Sequence, residues 1–325
     1  MHTDTLRSLA AKRGLLIGTA FCSGAFKHHP EYGDLIAREF NCLVAENDMK
    51  LDVLQPVRGQ FDFSRPDVMM SFARKHDMKV RAVPLVWHIA LPAWAEGKTF
   101  SRNEALDILR EHIFTVMQYY RGQVIAWDVV NEALSDKEPG LRKEGPWYNS
   151  IGTDYVEQAY HMAHEADPQA VLFYNDYNMD CMNDKAGRCY MWIKELLARG
   201  VPIHGIGLQC HFQLEWPPAK AALSDNIKRF NDLGLIVHMT ELDVWLAKDA
   251  SADHLLQQAE VYCDIFQAAL SAKDCPAILL WGLADCHSWI PGQTGGKYDH
   301  ALIFDRQYRP KPAYAAIAAL LRGDR

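Results

Sequence analysis

Trp127-Asp128-Val129-Val130-Asn131-Glu132 is the stretch from which the rest of the chain can be read. It is a short run of mostly apolar and β-branched residues that ends in a glutamate. A strand covered on both faces has this form, because neither face has to be polar. The segment His238-Met239-Thr240-Glu241-Leu242-Asp243 has the same design. A carboxylate at the C-terminal end of such a strand sits at the mouth of a parallel sheet or barrel.

Working outward from these two, further apolar runs occupy 15–21, 42–46, 79–87, 171–177, 205–211 and 277–285. With 124–132 and 236–244 they make eight expected strands. Helical patterns lie between them. Ser101-Arg102-Asn103-Glu104 reads as a capping box opening a helix that runs to about Arg121. Val156, Ala159, Tyr160 and Ala163 share one helical face, and 255–270 and 312–321 are equally helical. Strands alternating with helices predict an α/β protein, a (β/α)8 barrel. No Ser/Gly-rich linker divides the chain, so residues 1–325 are expected to form one domain. The competing arrangement is an open doubly wound sheet. No glycine-rich phosphate loop follows the first strand, and Gly14-x-x-x-Gly18 is read as close packing within it.

A barrel places its chemistry at the C-terminal rim. The polar strand endings gather there: Glu46-Asn47, Trp87-His88, Asn131-Glu132, Asn175-Asp176-Tyr177, Gln209 with His211, Glu241 with Asp243, and Trp281 with Asp285. Two convergent carboxylates on opposite sides of a sugar are the equipment for cleaving a glycosidic bond. The formal charge of −7 excludes a basic field for a nucleic-acid backbone. Neither a nucleic-acid element nor a membrane element is expected, since Leu15-Leu16-Ile17 is too short to span a bilayer. The eight cysteines contain no CxxC pair and are read mostly as reduced. Met1-His2-Thr3-Asp4-Thr5 does not resemble a signal peptide, and a cytoplasmic location is favoured. No metal or cofactor is expected. His161-x-x-His164 lies on an outer helix without carboxylate company, and His28-His29 is assigned to a loop.

These motifs together resemble glycoside hydrolase family 10, the retaining endo-β-1,4-xylanases. The resemblance runs from Leu6 to Leu321. It is carried by Glu46-Asn47-Asp48-Met49-Lys50, Leu85-Val86-Trp87-His88, the two glutamate segments, Tyr174-Asn175-Asp176-Tyr177-Asn178, Gly205-Ile206-Gly207-Leu208-Gln209-Cys210-His211, and Trp281-Gly282 with Ser288-Trp289. It implies the barrel fold and double displacement on xylan or xylo-oligosaccharides by a monomer or weak oligomer. Glu132 is then the acid/base and Glu241 the nucleophile. His211 and Asp243 keep Glu241 charged and oriented, and Asn131 meets the sugar 2-hydroxyl. Glu46, Asn47, Lys50, Trp87, His88, Gln209, Trp281 and Trp289 are expected to contact substrate. Asn175 and Tyr177 are expected on the aglycone side.

Two positions depart from the pattern. The family reads Gly-His-Thr-Leu-Val-Trp-His-x-Gln along the third strand, whereas this chain places Val83 at the His and Ala90 at the Gln. The substitutions raise an alternative substrate for the same mechanism: a glycosylated small molecule or another decorated β-glycoside.

Overall fold

The computed structural model describes residues 4–324, so the reading of Met1–Thr3 lies outside it. Eight strands form the barrel: β1 (Leu16–Phe21), β2 (Cys42–Ala45), β3 (Lys79–Ala82), β4 (Ala126–Asn131), β5 (Leu172–Asp176), β6 (Gly205–Leu208), β8 (Ile236–Ala247) and β9 (Ala277–Leu280). All pair in parallel in that order, and β8–β9 and β9–β1 contacts close the ring. The short β7 (His211–Gln213) pairs with the outer half of β8, and β10 (Tyr298–Asp299) pairs antiparallel with its tip. Together they raise a wall above one side of the mouth. In a ring of eight, β2 and β6 stand opposite each other, with β4 on one side of the line between them and β8 on the other.

β2, β4, β5, β6 and β9 are buried along their whole length because both faces are covered, by side chains inside and helices outside. The expected helices form as Arg102–Tyr119, Tyr155–Ala166, Ala252–Ser271 and Pro312–Arg322. Val156, Ala159, Tyr160 and Ala163 all face the core. One large apolar core runs through the structure. A small satellite of Ile290, Ala301 and Leu302 lies under the wall.

Several local expectations are corrected. The third strand ends at Ala82, and only Val86 of the remaining run pairs, with Val130. Pro84 has no N–H to give a ladder, which stops the strand early. Ser101 caps its helix through the Glu104 N–H, but the Glu104 side chain pairs with Arg58 instead of closing a capping box. Gly14 lies before β1 with φ +67, in a turn that disfavours other residues. Only Gly18 packs closely, since a Cβ there would meet Leu279 at 2.8 Å. His28 ends a short helix rather than lying in a loop, and the His29 ring packs on His287.

The barrel interior holds a buried ion pair that the sequence reading did not identify. Arg81 of β3 grips Asp128 of β4 with both terminal nitrogens. Burial pushes Asp128 up to about 6 against the pull of Arg81. Each charge needs the other, because leaving one alone in a core costs about 3–5 kcal/mol. A lone Arg and a lone Asp on adjacent apolar strands were the available signal.

Candidate active site

Glu132 is the first residue past β4 and adopts φ +54, which turns its side chain out of the strand into the mouth. Its N–H donates to the Asn175 carbonyl at 2.9 Å. The residue is 8% exposed. One oxygen accepts from Trp87 Nε1 at 2.9 Å. The other accepts from Gln209 Nε2 at 2.9 Å and Asn131 Nδ2 at 3.2 Å. Burial raises its pKa and the nearby Glu241 adds to this, while the Gln209 and Trp87 hydrogen bonds oppose it. This carboxyl therefore holds its proton above the ordinary glutamate range.

Glu241 lies within β8, where the register against β9 slips between Met239 and Leu242. An irregularity of this kind re-aims a side chain that regular alternation would place elsewhere. Its Oε1 accepts from Asn175 Nδ2 at 2.8 Å. Its Oε2 lies 3.4 Å from His211 Nε2, and His211 Nδ1 lies 2.9 Å from Asp243 Oδ1. Burial pushes the His211 ring down, but the Asp243 and Glu241 carboxylates outweigh it and hold the ring up at about 10. The charged ring donates to both acids. Asp243 also accepts from Trp245 Nε1 at 2.6 Å and Trp289 Nε1 at 2.9 Å, so the relay is anchored in the wall.

Asn131 joins the two carboxylates. Its Oδ1 accepts from Asn175 at 2.9 Å and Gln209 at 3.3 Å, the amides that also hold Glu241 and Glu132. Asn175 and Gln209 are therefore part of the network that holds the two acids. Asn175 is 0% exposed, and its Oδ1 accepts from Thr240 Oγ1 at 2.7 Å. Gln209 is 3% exposed. Both hold the carboxylates in place. Gly207 makes this possible, since a Cβ there would fall 2.2 Å from Asn175 Oδ1.

Around the β2 end, half-buried Glu46 is pushed up by burial, opposed by hydrogen bonds from Cys22 and Asn47 and by the charge of Lys50. Lys50 Nζ donates to Asn47 at 2.7 Å and lies 5.1 Å from the Trp87 ring. Burial lowers Lys50 and the charges of Glu241 and Glu46 raise it, so this group adjoins the catalytic pair. Trp87 is fixed from behind by Trp147 Nε1, which donates to its carbonyl at 2.8 Å. His88 packs edge-on to Trp87. Burial pushes it down to about 4, which leaves it neutral. Trp289 and Trp281 flank the His211 ring at 5.0 and 6.5 Å. Val83 is buried in the core, and Ala90 presents a methyl at φ +52 beside the cleft.

On the β5 side, the Tyr177 hydroxyl bonds Asp136 and Arg142, and Lys185 Nζ sits 4.0 Å from its ring. Burial pushes Asp136 up, but hydrogen bonds from Lys185, Tyr177 and Arg142 prevail and hold it at about 2. Arg142 Nε donates to the Glu132 carbonyl at 3.1 Å. This ties the segment that follows β4 to the acid itself. Asp176 and Asp285, expected at the rim, are instead neutralised by Lys185 and Lys311. Among the described residues no cluster of three His, Cys, Asp or Glu side chains is placed to hold a metal, and no helix is long and apolar enough to cross a membrane.

The family model for glycosyl hydrolase family 10 matches residues 5–320. Among curated relatives, endo-1,4-beta-xylanase B of Thermotoga neapolitana is 42% identical over 97% of this chain and 91% of its own length. The beta-1,4-xylanase of Dictyoglomus thermophilum is 40% identical over 87% of this chain and 82% of its own. Among solved structures, xylanase 10B from Thermotoga petrophila RKU-1 in complex with xylobiose superposes with a TM-score of 0.96. That match is 39% identical and covers 100% of this chain and 99% of the other.

Proposed function

Because the chain belongs to glycosyl hydrolase family 10, we propose that it cleaves internal β-1,4-xylosidic bonds of xylan and xylo-oligosaccharides with retention of configuration. Glu241, held between Asn175 and the charged His211, attacks the anomeric carbon. Glu132, kept protonated by burial, gives its proton to the leaving oxygen. The resulting glycosyl-enzyme is opened by water, from which Glu132 now takes the proton. Glu46, Asn47, Lys50 and Trp87 receive the glycone, and Tyr177 lies on the aglycone side. Asn131 sits between the two acids, where the sugar 2-hydroxyl comes closest to the nucleophile.

The observation that carries this reading is the hydrogen-bonded chain Glu132–Gln209–Asn131–Asn175–Glu241, which binds two carboxylates with different environments into one rigid unit. Products from xylohexaose test it. Xylobiose and xylotriose appearing together from the start support internal cleavage, and an intact hexasaccharide contradicts it. The small-molecule alternative draws no support from the xylanase relatives. Replacing His by Val83 and Gln by Ala90 removes sugar contacts without touching either acid.

The Gln209 contact makes a prediction about pH. Its N–H stabilises ionised Glu132, so Gln209→Leu raises the Glu132 pKa further. The acid must be protonated to act, and a higher pKa keeps it so to higher pH. The basic limb of kcat/KM is therefore expected to move to higher pH, and a shift to lower pH would count against the assignment.

A further inference from the structure

Asp180 is a buried carboxylate to which the chemistry above gives no task. It lies just past β5 and is 5% exposed. Its Oδ1 accepts from the Cys210 N–H at 2.8 Å, and the Cys210 thiol bonds the same carboxylate. Burial raises the Asp180 pKa, and the Cys210 N–H and the charged His211 ring oppose this. A carboxyl buried at such cost to hold one peptide N–H points to the importance of that peptide.

Cys210 is the residue between Gln209 and His211. β6 ends at Leu208 and β7 begins at His211. Leu208 pairs with Met239 and His211 with Asp243, so β8 fits one more residue into the gap than its partner does. Cys210 takes up the difference at φ +63, a region that strains any residue with a Cβ. Gln209, before this turn, reaches Glu132 at 2.9 Å. His211, after it, comes within 3.4 Å of Glu241. One strained peptide thus sets the aim of a contact to each acid.

The strand ladder does not hold this peptide. β5 ends at Asp176, whose carbonyl takes the Gln209 N–H at 3.2 Å. The next N–H, that of Cys210, meets the Asp180 side chain where a strand carbonyl would otherwise stand. The carboxylate is itself braced from outside the barrel. Asn226, fully buried on the helix Lys220–Asp232, donates to the Met179 carbonyl at 2.8 Å and the Asp180 carbonyl at 2.9 Å. Arg229 Nε donates to Asn226 Oδ1 at 2.8 Å. Contacts therefore run unbroken from the outer helix through Asp180 to the Cys210 turn.

We infer that Asp180 is a positioning residue of the active site, which holds the Cys210 turn and through it aims Gln209 at Glu132 and His211 at Glu241. This rests on the acid role of Glu132 proposed above and adds a residue that acts through others.

A double-mutant cycle tests it, read on the basic limb of kcat/KM for xylohexaose. Without its acceptor the Cys210 turn slackens and the Gln209 contact weakens. Asp180→Ala is therefore expected to move that limb to higher pH, the direction of Gln209→Leu, and to lower kcat about tenfold with KM little changed. In the Gln209→Leu chain the same substitution is expected to move the limb no further, because the contact through which it acts is already gone. Loss of the Asp180 charge alone would favour ionised Glu132 and move the limb to lower pH, which separates the two causes. The charged groups facing Glu132, namely Glu241, Arg142, Lys50 and Asp176, are unaltered in these variants. Asp180→Asn keeps the shape and an acceptor oxygen, and is expected to recover most of kcat with the limb at its wild-type position. If the alanine chain does not fold, this variant decides alone, and a displaced limb overturns the inference. So does a limb that Asp180→Ala leaves in place, moves to lower pH, or moves by the same amount with and without Gln209→Leu. A limb that Gln209→Leu itself does not move contradicts the acid role of Glu132, and the positioning role falls with it.

Discussion

Glu241→Ala is expected to lower kcat on xylohexaose by about 10⁴-fold or more while leaving the fold intact, since a covalent mechanism without its nucleophile has no first step. The carboxylate lies at the cleft surface and bridges Asn175 and His211, so its removal empties one place in a network otherwise anchored by Asp243, Trp245 and Trp289. Small anions can enter the space left by the side chain. Azide at high concentration is expected to restore turnover of an aryl xyloside and to give the α-glycosyl azide, because one displacement inverts configuration. Residual hydrolysis near the wild-type rate, or a β-azide, would show that Glu241 is not the attacking group.

The second large effect is at Glu132. Glu132→Ala is expected to cut kcat on xylohexaose by about 10²–10⁴-fold, the range for loss of a general acid. The loss depends on the leaving group. An aryl oxygen needs no proton to depart, so the first step on an aryl xylobioside survives. The second step, deprived of its base, becomes slow. A burst of p-nitrophenol followed by a low steady rate, with KM reduced, is the expected signature. The basic limb of the pH profile also disappears. In wild type that limb lies above the ordinary glutamate range, because burial raises the Glu132 pKa and activity declines as the acid loses its proton. An equal loss on both substrates, with the limb retained, would move the acid role to another residue.

The sequence made the barrel legible because a parallel sheet needs apolar runs, and runs such as Val129-Val130 and Ile278-Leu279-Leu280 are unmistakable. The two glutamates were legible for the same reason, since a charge at the end of such a run has one place to go. What could not be read was how far each strand continues. β8 extends to Ala247 because β7 and β10 pair with its outer half, and that pairing is set by tertiary contact. The family resemblance put Asn175 on the aglycone side. Its complete burial, and the space Gly207 leaves for it, turn it toward Glu241 instead. The group formed by Asp136, Arg142, Tyr177 and Lys185 was invisible because its members lie on three separate segments. Trp147, which braces Trp87 from the short helix Pro146–Ile151, was missed because a lone aromatic carries no signal of its target.

The central claim is that Glu132 and Glu241 act in sequence on one anomeric carbon, inverting it twice. The stereochemistry of the first product tests this without depending on any variant. Proton NMR of xylohexaose during its first minutes with wild-type enzyme distinguishes the anomers of the newly formed reducing end. The account predicts that the β anomer appears first and the α anomer only later, by mutarotation. An α anomer appearing first would mean a single displacement by water, and Glu241 would then be a base rather than a nucleophile.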